Sequence, residues 1–404
     1  MDEQKISRKA VLPAFLGMIA LAVVICVAMN LIQPHLANNM FNWFDLVGGA
    51  AEGSVFYRVM WFLIDLDQGT FMASIIGTGF LLIGLAVASH LERKKSPHMG
   101  TGVCGMNGII FKMVACAFAG LILGQIVNDI CGLIVGVNPF ATYGWVPTFA
   151  IFLAAQVLVA FYGTTPSKMV TITVLSSIVT YLSCWFFLHF VVVPVGLPLF
   201  CCVSFGLIVA VPICSEILRV LPWIKKADPA PAPDEYAEVP MPVLSENKWF
   251  VHTTFGDIGQ LVVWGSSIAV IFMYIGCIIN WAIDPLNVGY SVGNFGTMIA
   301  AQIATAALGI FIYYPRWKKN GFTFTFGGIV FSSAIIITYA NHWVVVLSAI
   351  ILGALVVGPF IDWLIKTFNK NGRYHVIFFA QIGIGVCVAV YSLILKYLLL
   401  PVLC

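Results

Sequence analysis

Apolar residues in this chain follow neither the alternation of a half-buried strand nor the stripe of a surface helix; they come in unbroken runs of roughly twenty. Each run is long enough to cross about 30 Å of hydrocarbon as an α-helix. The runs predict spans, with boundaries good to a few residues, at 11–32, 70–90, 106–136, 147–163, 169–190, 196–218, 256–283, 295–314, 322–340, 343–365 and 375–399. The expected fold class is therefore all-α, a polytopic integral membrane helical bundle of about 11 transmembrane helices. The first run follows Lys5, Arg8 and Lys9, is long for a cleaved leader, and reads as a retained signal anchor.

One stretch resists this pattern. Between Phe41 and Asp67 the chain is aromatic and partly apolar, yet it holds Asp45, Glu52, Arg58, Asp65 and Asp67. Charge at that density makes a poor lipid-facing helix, so the segment is expected outside the spans as a structured external loop. An interfacial helix anchored by Trp43, Tyr57 and Trp61, or a re-entrant dip, are the alternatives.

The placement of basic residues sets the orientation. With the N-terminus in the cytoplasm, the inner segments carry Lys5, Arg8, Lys9, Arg93, Lys94, Lys95, Lys168, Arg219, Lys225, Lys226, Lys248, Arg316, Lys318, Lys319, Lys366, Lys370 and Arg373. Of the other three, only Arg58 falls in an outer loop, while Lys112 and Lys396 fall within spans. This asymmetry predicts an N-in, C-out topology.

Residues 1–224 are read as an N-terminal bundle of about six spans and 251–404 as a C-terminal bundle of about five. Between them, 225–250 is a cytoplasmic linker rich in proline and acid, with little to bury. An internal repeat of two five-helix units is expected. The second span, ending SHLERKK, resembles the eighth, ending YYPRWKK, and glycine-bearing stretches follow at Gly100 and Asn320, which suggests parallel units. An inverted pair of five-helix units plus one extra helix is the other scheme.

Composition narrows the function. The chain is 61% hydrophobic and 9% charged, so lipid is its solvent, and a net charge of +3 from 20 basic and 17 acidic residues gives no electrostatic case for nucleic acid. Its 11 cysteines lie mostly in apolar runs without CxxC spacing and read as small core residues. No phosphate-binding GxxxxGK[ST] loop, HExxH motif, arginine-rich sensor helix or TVGYG filter occurs.

Ionisable groups deep in a span are candidates for function. Glu216, Asp257 and Asp362 are expected at cytoplasmic span ends and Asp284 at an outer end, all within reach of water, which leaves Lys112 and Asp129 on the third span. Gly105, Asn107 and Gly108 would weaken that helix at its start. Gln125, Asn128 and Asp129 share one face further along, either binding a solute and coupling ion or knitting the span to a neighbour beside Gly120 and Gly124. Gln156, Gln302 and Gln381 recur at mid-span as neutral ligands or interhelical bonds. The candidate substrate- or ion-binding set is therefore Asn107, Lys112, Gln125, Asn128, Asp129, Gln156, Gln302 and Gln381.

The expected function is secondary transport, ion- or proton-coupled, of a small neutral, zwitterionic or weakly anionic solute across the cell (plasma or inner) membrane, without enzymatic activity or cofactor. Partners are then the lipid bilayer, the solute and H+ or Na+, with no nucleic acid and a homo-oligomer left open. Two other classes compete: a permease or channel subunit of a multi-component uptake system, and a membrane-embedded transferase or flippase with Asp65 or Asp67 facing lipid headgroups.

Overall fold

The computed structural model describes residues 7–94, 96, 110–225, 244–259, 266–316, 324–339 and 342–403, and it is all-helical. Among the described residues seven helices are long and apolar enough to cross a membrane: α1 (Arg8–His35), α5 (Ile110–Val135), α7 (Pro166–Val195), α8 (Phe200–Val220), α11 (Phe295–Ile312), α13 (Trp343–Phe368) and α14 (Val376–Leu399). Four shorter apolar helices lie among them: α4 (Ile75–Leu91), α6 (Thr148–Tyr162), α10 (Ser267–Ile283) and α12 (Thr325–Tyr339). Three more, α2 (Trp43–Ala51), α3 (Val55–Asp65) and α9 (Glu246–Ile258), are mixed in character.

Burial sorts these helices into centre and rim. α6 is apolar all round and almost every side chain from Thr148 to Ala160 is buried, because α5, α7 and α8 pack around it. α12 holds the matching position among α11, α13 and α14. α1 lies at the rim: 17% of its most apolar window is buried, against 72% for α11, the helix it rests on. That contact runs antiparallel, with Asn30 Nδ2 donating to Thr297 Oγ1 (3.0 Å) and Gln33 Nε2 to Gly293 O (2.8 Å).

Small residues let the central backbones touch. A Cβ on Gly84 of α4 would stand 2.7 Å from Phe272 Cβ of α10, and one on Gly276 of α10 would stand 2.7 Å from Phe80 Cβ of α4. Without a hydrophobic drive between helices in lipid, close approach of this kind supplies the dispersion that holds the pair. The cysteines behave as expected of small core residues, with Cys116, Cys184, Cys201, Cys202, Cys214 and Cys277 buried and unpaired.

Several sequence expectations change here. The apolar run 256–283 is not one continuous span: α9 stops at Ile258 and α10 starts afresh at Ser267. The stretch 41–67 is no peripheral loop either. It forms α2 and α3 and then enters the bundle, where Gln302 Nε2, eight residues into α11, donates to Thr70 O (2.6 Å). Two acids assigned to watery span ends are buried instead. Asp257 is 2% exposed, and fully buried Asp284 accepts from the Met40 and Leu286 N–H groups (2.6 and 2.8 Å). Most of the linker, together with Asn107, the glycines around it and Asn320, lies outside the described residues.

Candidate functional site

A helix that stops inside a bundle must find partners for its last carbonyls, and the chain beyond it must make its own way back. α3 does this at Asp65. Thr78 Oγ1 of α4 donates to Leu63 O (2.7 Å), Trp61 Nε1 donates to Thr148 Oγ1 (2.9 Å), and Thr148 Oγ1 donates to Asp65 Oδ2 (2.5 Å). Thr148 is the first residue of α6, so the carboxylate faces the positive end of a buried helix. Two residues on, both oxygens of Asp67 accept from the Ser74 N–H (3.0 and 3.1 Å), and Ser74 Oγ accepts from Gly77 N to cap α4 (2.9 Å). Asp65 and Asp67 are fully buried, and Asp65 Oδ1 has no hydrogen-bond partner.

The same device occurs a second time. α9 stops just past Asp257, the first residue of α12, Thr325, donates to Asp257 Oδ2, and Ser266 Oγ accepts from Ala269 N (3.3 Å) to cap α10. Residues 65–84 and 257–276, a constant 192 positions apart, share Asp, Gln, Ser, Ile, Phe, Ile and Gly at matching places, seven of 20. The motif reads D-[LI]-x-Q-x5-S-x-I-[GA]-x2-F-x2-I-G. Its second glutamine, Gln260, lies outside the described residues. The helices it opens cross antiparallel, Gly84 against Phe272 and Gly276 against Phe80, so the two copies meet by the same contact made in opposite directions.

No described basic side chain pairs with Asp65, Asp67 or Asp257; the ion pairs lie elsewhere. A carboxylate sealed from water without a cation is so costly that such a site calls for a proton or a metal cation to neutralise it. Asp65 and Asp67 are fully buried, so neither carboxylate is presented at the protein surface as a lipid-facing catalytic group would be.

Beside the first corner lies a cavity of about 360 Å³. Trp43, Trp145, Phe71, Phe149, Phe200 and Tyr290 form much of its wall, Gln68 and Thr338 supply polar groups, and none of its lining residues is charged. Trp145 Nε1 donates to Gln68 Oε1 (3.3 Å), while Gln68 Nε2 has no partner. The backbone here is strained: among the described residues Phe71, Ala73, Tyr290 and Ser291 are the non-glycine residues with positive φ, and Gly289 N donates to Met72 O (2.7 Å) to tie the two strained turns together. Such conformations cost of order 1–3 kcal/mol each and persist where the surroundings over-determine them, commonly at ligand sites.

The far end of α8 carries a cluster of charges. Phe200 at its start lines the cavity, whereas Glu216, sixteen residues and about 24 Å further on, collects four donors. They are Arg219 Nη1 (2.6 Å), Arg373 Nε and Nη2 (3.1 and 2.9 Å) and the Tyr374 hydroxyl (3.0 Å), so the latch joins α8 to the segment leading into α14.

The residues singled out from sequence are not brought together in one site. Asp129 is half exposed and ion-paired with Arg58 of α3 (2.7 Å); Gln125 Nε2 donates to Arg58 O (3.1 Å); Asn128 accepts from the Tyr181 hydroxyl. This cluster ties α5 to α3. Lys112 reaches Thr164 Oγ1 (3.4 Å) near the start of α5. Gln302 bonds Tyr274, Thr70 and Ser333, and Gln381 accepts from Ser204 (2.9 Å), both stitching helices to one another. Gln156 differs, being fully buried with neither amide atom partnered. Lys168, expected in an inner loop, is also buried with Nζ unpartnered near Gly163. From sequence alone, charge density places Asp65 and Asp67 outside the spans and closeness to a run's end places Asp257 near water, while Gln68 carries no signal of its own; the 192-residue recurrence is the feature of the sequence that links the corners. Against known proteins, no family model, curated protein or solved structure matches this chain.

Proposed function

We propose that this protein is a secondary transporter of a small solute, working by alternating access between two inverted halves. The reading rests on one observation above all: a broken helix ending in a buried Asp–Thr pair occurs twice, on helices that cross antiparallel. Inverted repeats with discontinuous helices that meet near the bilayer midplane are a recurrent transporter architecture. Each half would comprise a re-entrant corner and five spans, α4 to α8 without the corner in the first and α10 to α14 in the second, with α1 as the extra helix. α8 and α14 support this pairing, since they too run antiparallel, Ser204 meeting Gln381 at one end and Glu216 meeting Arg373 at the other. On this topology there are eleven spans, the N-terminus is cytoplasmic and the C-terminus external, as the basic residues favour.

The cavity then opens on the external side and the Glu216 latch closes the cytoplasmic side. Asp65 is the coupling group: it has an unmet oxygen and no basic side chain paired with it among the described residues, which suits it to take up a proton or Na+. Neutralising it removes the penalty of burial, which lets the first corner move against the second when ion and solute are both bound.

Uptake of a panel of labelled small solutes into proteoliposomes, with an inward H+ or Na+ gradient and without one, tests the function. The expected result is gradient-dependent accumulation by the wild type and its loss in Asp65→Asn. Accumulation unchanged by that substitution would sink the coupling role; absence of accumulation under every gradient would sink transport. A reporter fused to the C-terminus and found in the cytoplasm would overturn the topology.

A further inference from the structure

We infer that the cavity beneath Trp43 and Trp145 takes an uncharged, largely apolar ring compound that presents a hydrogen-bond acceptor to Gln68. The inference deepens the transport reading, on which its physiological meaning rests, by naming the class of solute.

The wall chemistry sets the class by elimination. With no charged side chain in the lining, an ionic solute would lose its hydration and gain no counter-charge, a cost that grows as the surroundings lose water. A sugar would stack on the tryptophans but bring a ring of hydroxyls, and the side chains that line the cavity offer few polar partners beyond Gln68, Thr338 and the Tyr290 hydroxyl. Each hydroxyl left unmet would cost about 1–3 kcal/mol. A flat ring with one carbonyl or ring nitrogen fits both constraints. Its faces meet Trp43, Trp145, Phe149 and Tyr290, aromatic surfaces that favour offset or edge-to-face contact. The cavity, about 360 Å³, lies at the small end of the usual range for ligand sites, which suits one or two rings.

Gln68 makes the polarity of the contact unambiguous. Indole Nε1–H can only donate, so Trp145 fixes the amide oxygen toward itself and turns Nε2 away. That Nε2, on a side chain 4% exposed, is an unspent donor, and the group that satisfies it must accept. Gln156 stands seven residues, two turns, beyond Phe149 on the same face of α6, buried with both amide atoms unmet.

Isothermal titration calorimetry on the detergent-solubilised full chain, with benzamide, nicotinamide and uracil as probes and benzoate and glucose as comparators, tests the inference. Saturable binding of at least one of the three uncharged rings is expected, with benzoate and glucose at least tenfold weaker. Gln68→Met, which keeps the length and removes the donor, should weaken ring binding about tenfold. Trp145→Phe frees the amide to flip, so aniline, a donor, should gain affinity relative to wild type; this variant decides the matter if Gln68→Met fails to fold. The inference is overturned if none of the three rings binds, if benzoate or glucose binds as tightly, or if a folded Gln68→Met binds rings unchanged. Calorimetry needs no gradient, so intact ring binding with no flux in proteoliposomes would remove transport and leave the site. Flux of a charged or polyhydroxylated solute without ring binding would do the reverse.

Discussion

The two helix-breaking corners share a frame and differ in what they add to it. Both carry an aspartate in the last two positions of a helix, both give that aspartate the hydroxyl of a threonine opening a buried helix, and both cap the next helix with serine. The first corner has a second acid, Asp67, where the second has Gly259, and the aromatic cavity with its unspent Gln68 donor lies beside it. The common part is what a broken helix needs in order to exist in a dry interior, namely partners for its ends and a carboxylate held by donors. The unshared part carries the cavity for which binding is proposed. Under the transport proposal, the asymmetry between the corners marks the one that would meet the solute.

The largest expected effect separates the corners by role. Asp65→Asn should lower gradient-driven uptake in proteoliposomes about a hundredfold, equivalent to about 2.7 kcal/mol, while Asp257→Asn should leave it within threefold. Equal losses would mean that the corners are interchangeable and would break the comparison. The shared frame is checked by stability instead. Thr148→Val and Thr325→Val each leave a buried carboxylate short of a donor, and each should cost about 2 kcal/mol in thermal unfolding in detergent, by similar amounts. A large difference between them would show that the frames are alike in geometry only.

A smaller effect concerns the closed end. Glu216→Gln weakens the latch to Arg373 while keeping the side chain's shape, so buried Cys214, half a turn away on α8, should react severalfold faster with a membrane-permeant maleimide. Unchanged labelling would mean that the latch does not hold that end shut. The smallest effect is an acid-side slope confined to the second half. His375 caps α14 by accepting from the Ile377 N–H (3.2 Å), and burial pushes its imidazole down to about 4, whereas the start of α8 has no side-chain cap. The native group stays neutral while the unfolded one, near 6.5, takes up a proton. Stability is therefore intact above pH 6.5 and lost as pH falls toward 4, by about 1 kcal/mol between pH 7 and 5.5. His375→Asn, which can still cap the helix, should flatten that part of the profile; an identical profile would assign the slope to other groups.

Much of the scaffold was legible because lipid imposes a simple rule on composition. Runs of apolar residues marked the seven long helices, and cysteines inside those runs pointed to packing rather than chemistry. Gln302 and Gln381 fit the expectation of amides that bridge helices. The candidate site was poorly legible. Asp129 drew attention because it sits far inside an apolar run, yet Arg58 reaches it and half of its side chain is exposed. Asp257 sits near the start of such a run, where water is expected, yet it is buried. Position within a run measures depth only for a helix that crosses straight through, and α3 and α9 do not.

The sequence by itself determined an all-helical chain with helices long and apolar enough to cross a membrane, since only a helix satisfies its own backbone where water is absent and only long apolar runs tolerate that place. It also carried the corner motif twice in plain letters. Which acids became buried, which glutamine was left with a free donor, and which end of α8 lies at a cavity were decided only by tertiary structure. Burial is a property of neighbours, and those neighbours, Thr148 for Asp65, Trp145 for Gln68 and Arg373 for Glu216, come from 77 to 157 residues away along the chain.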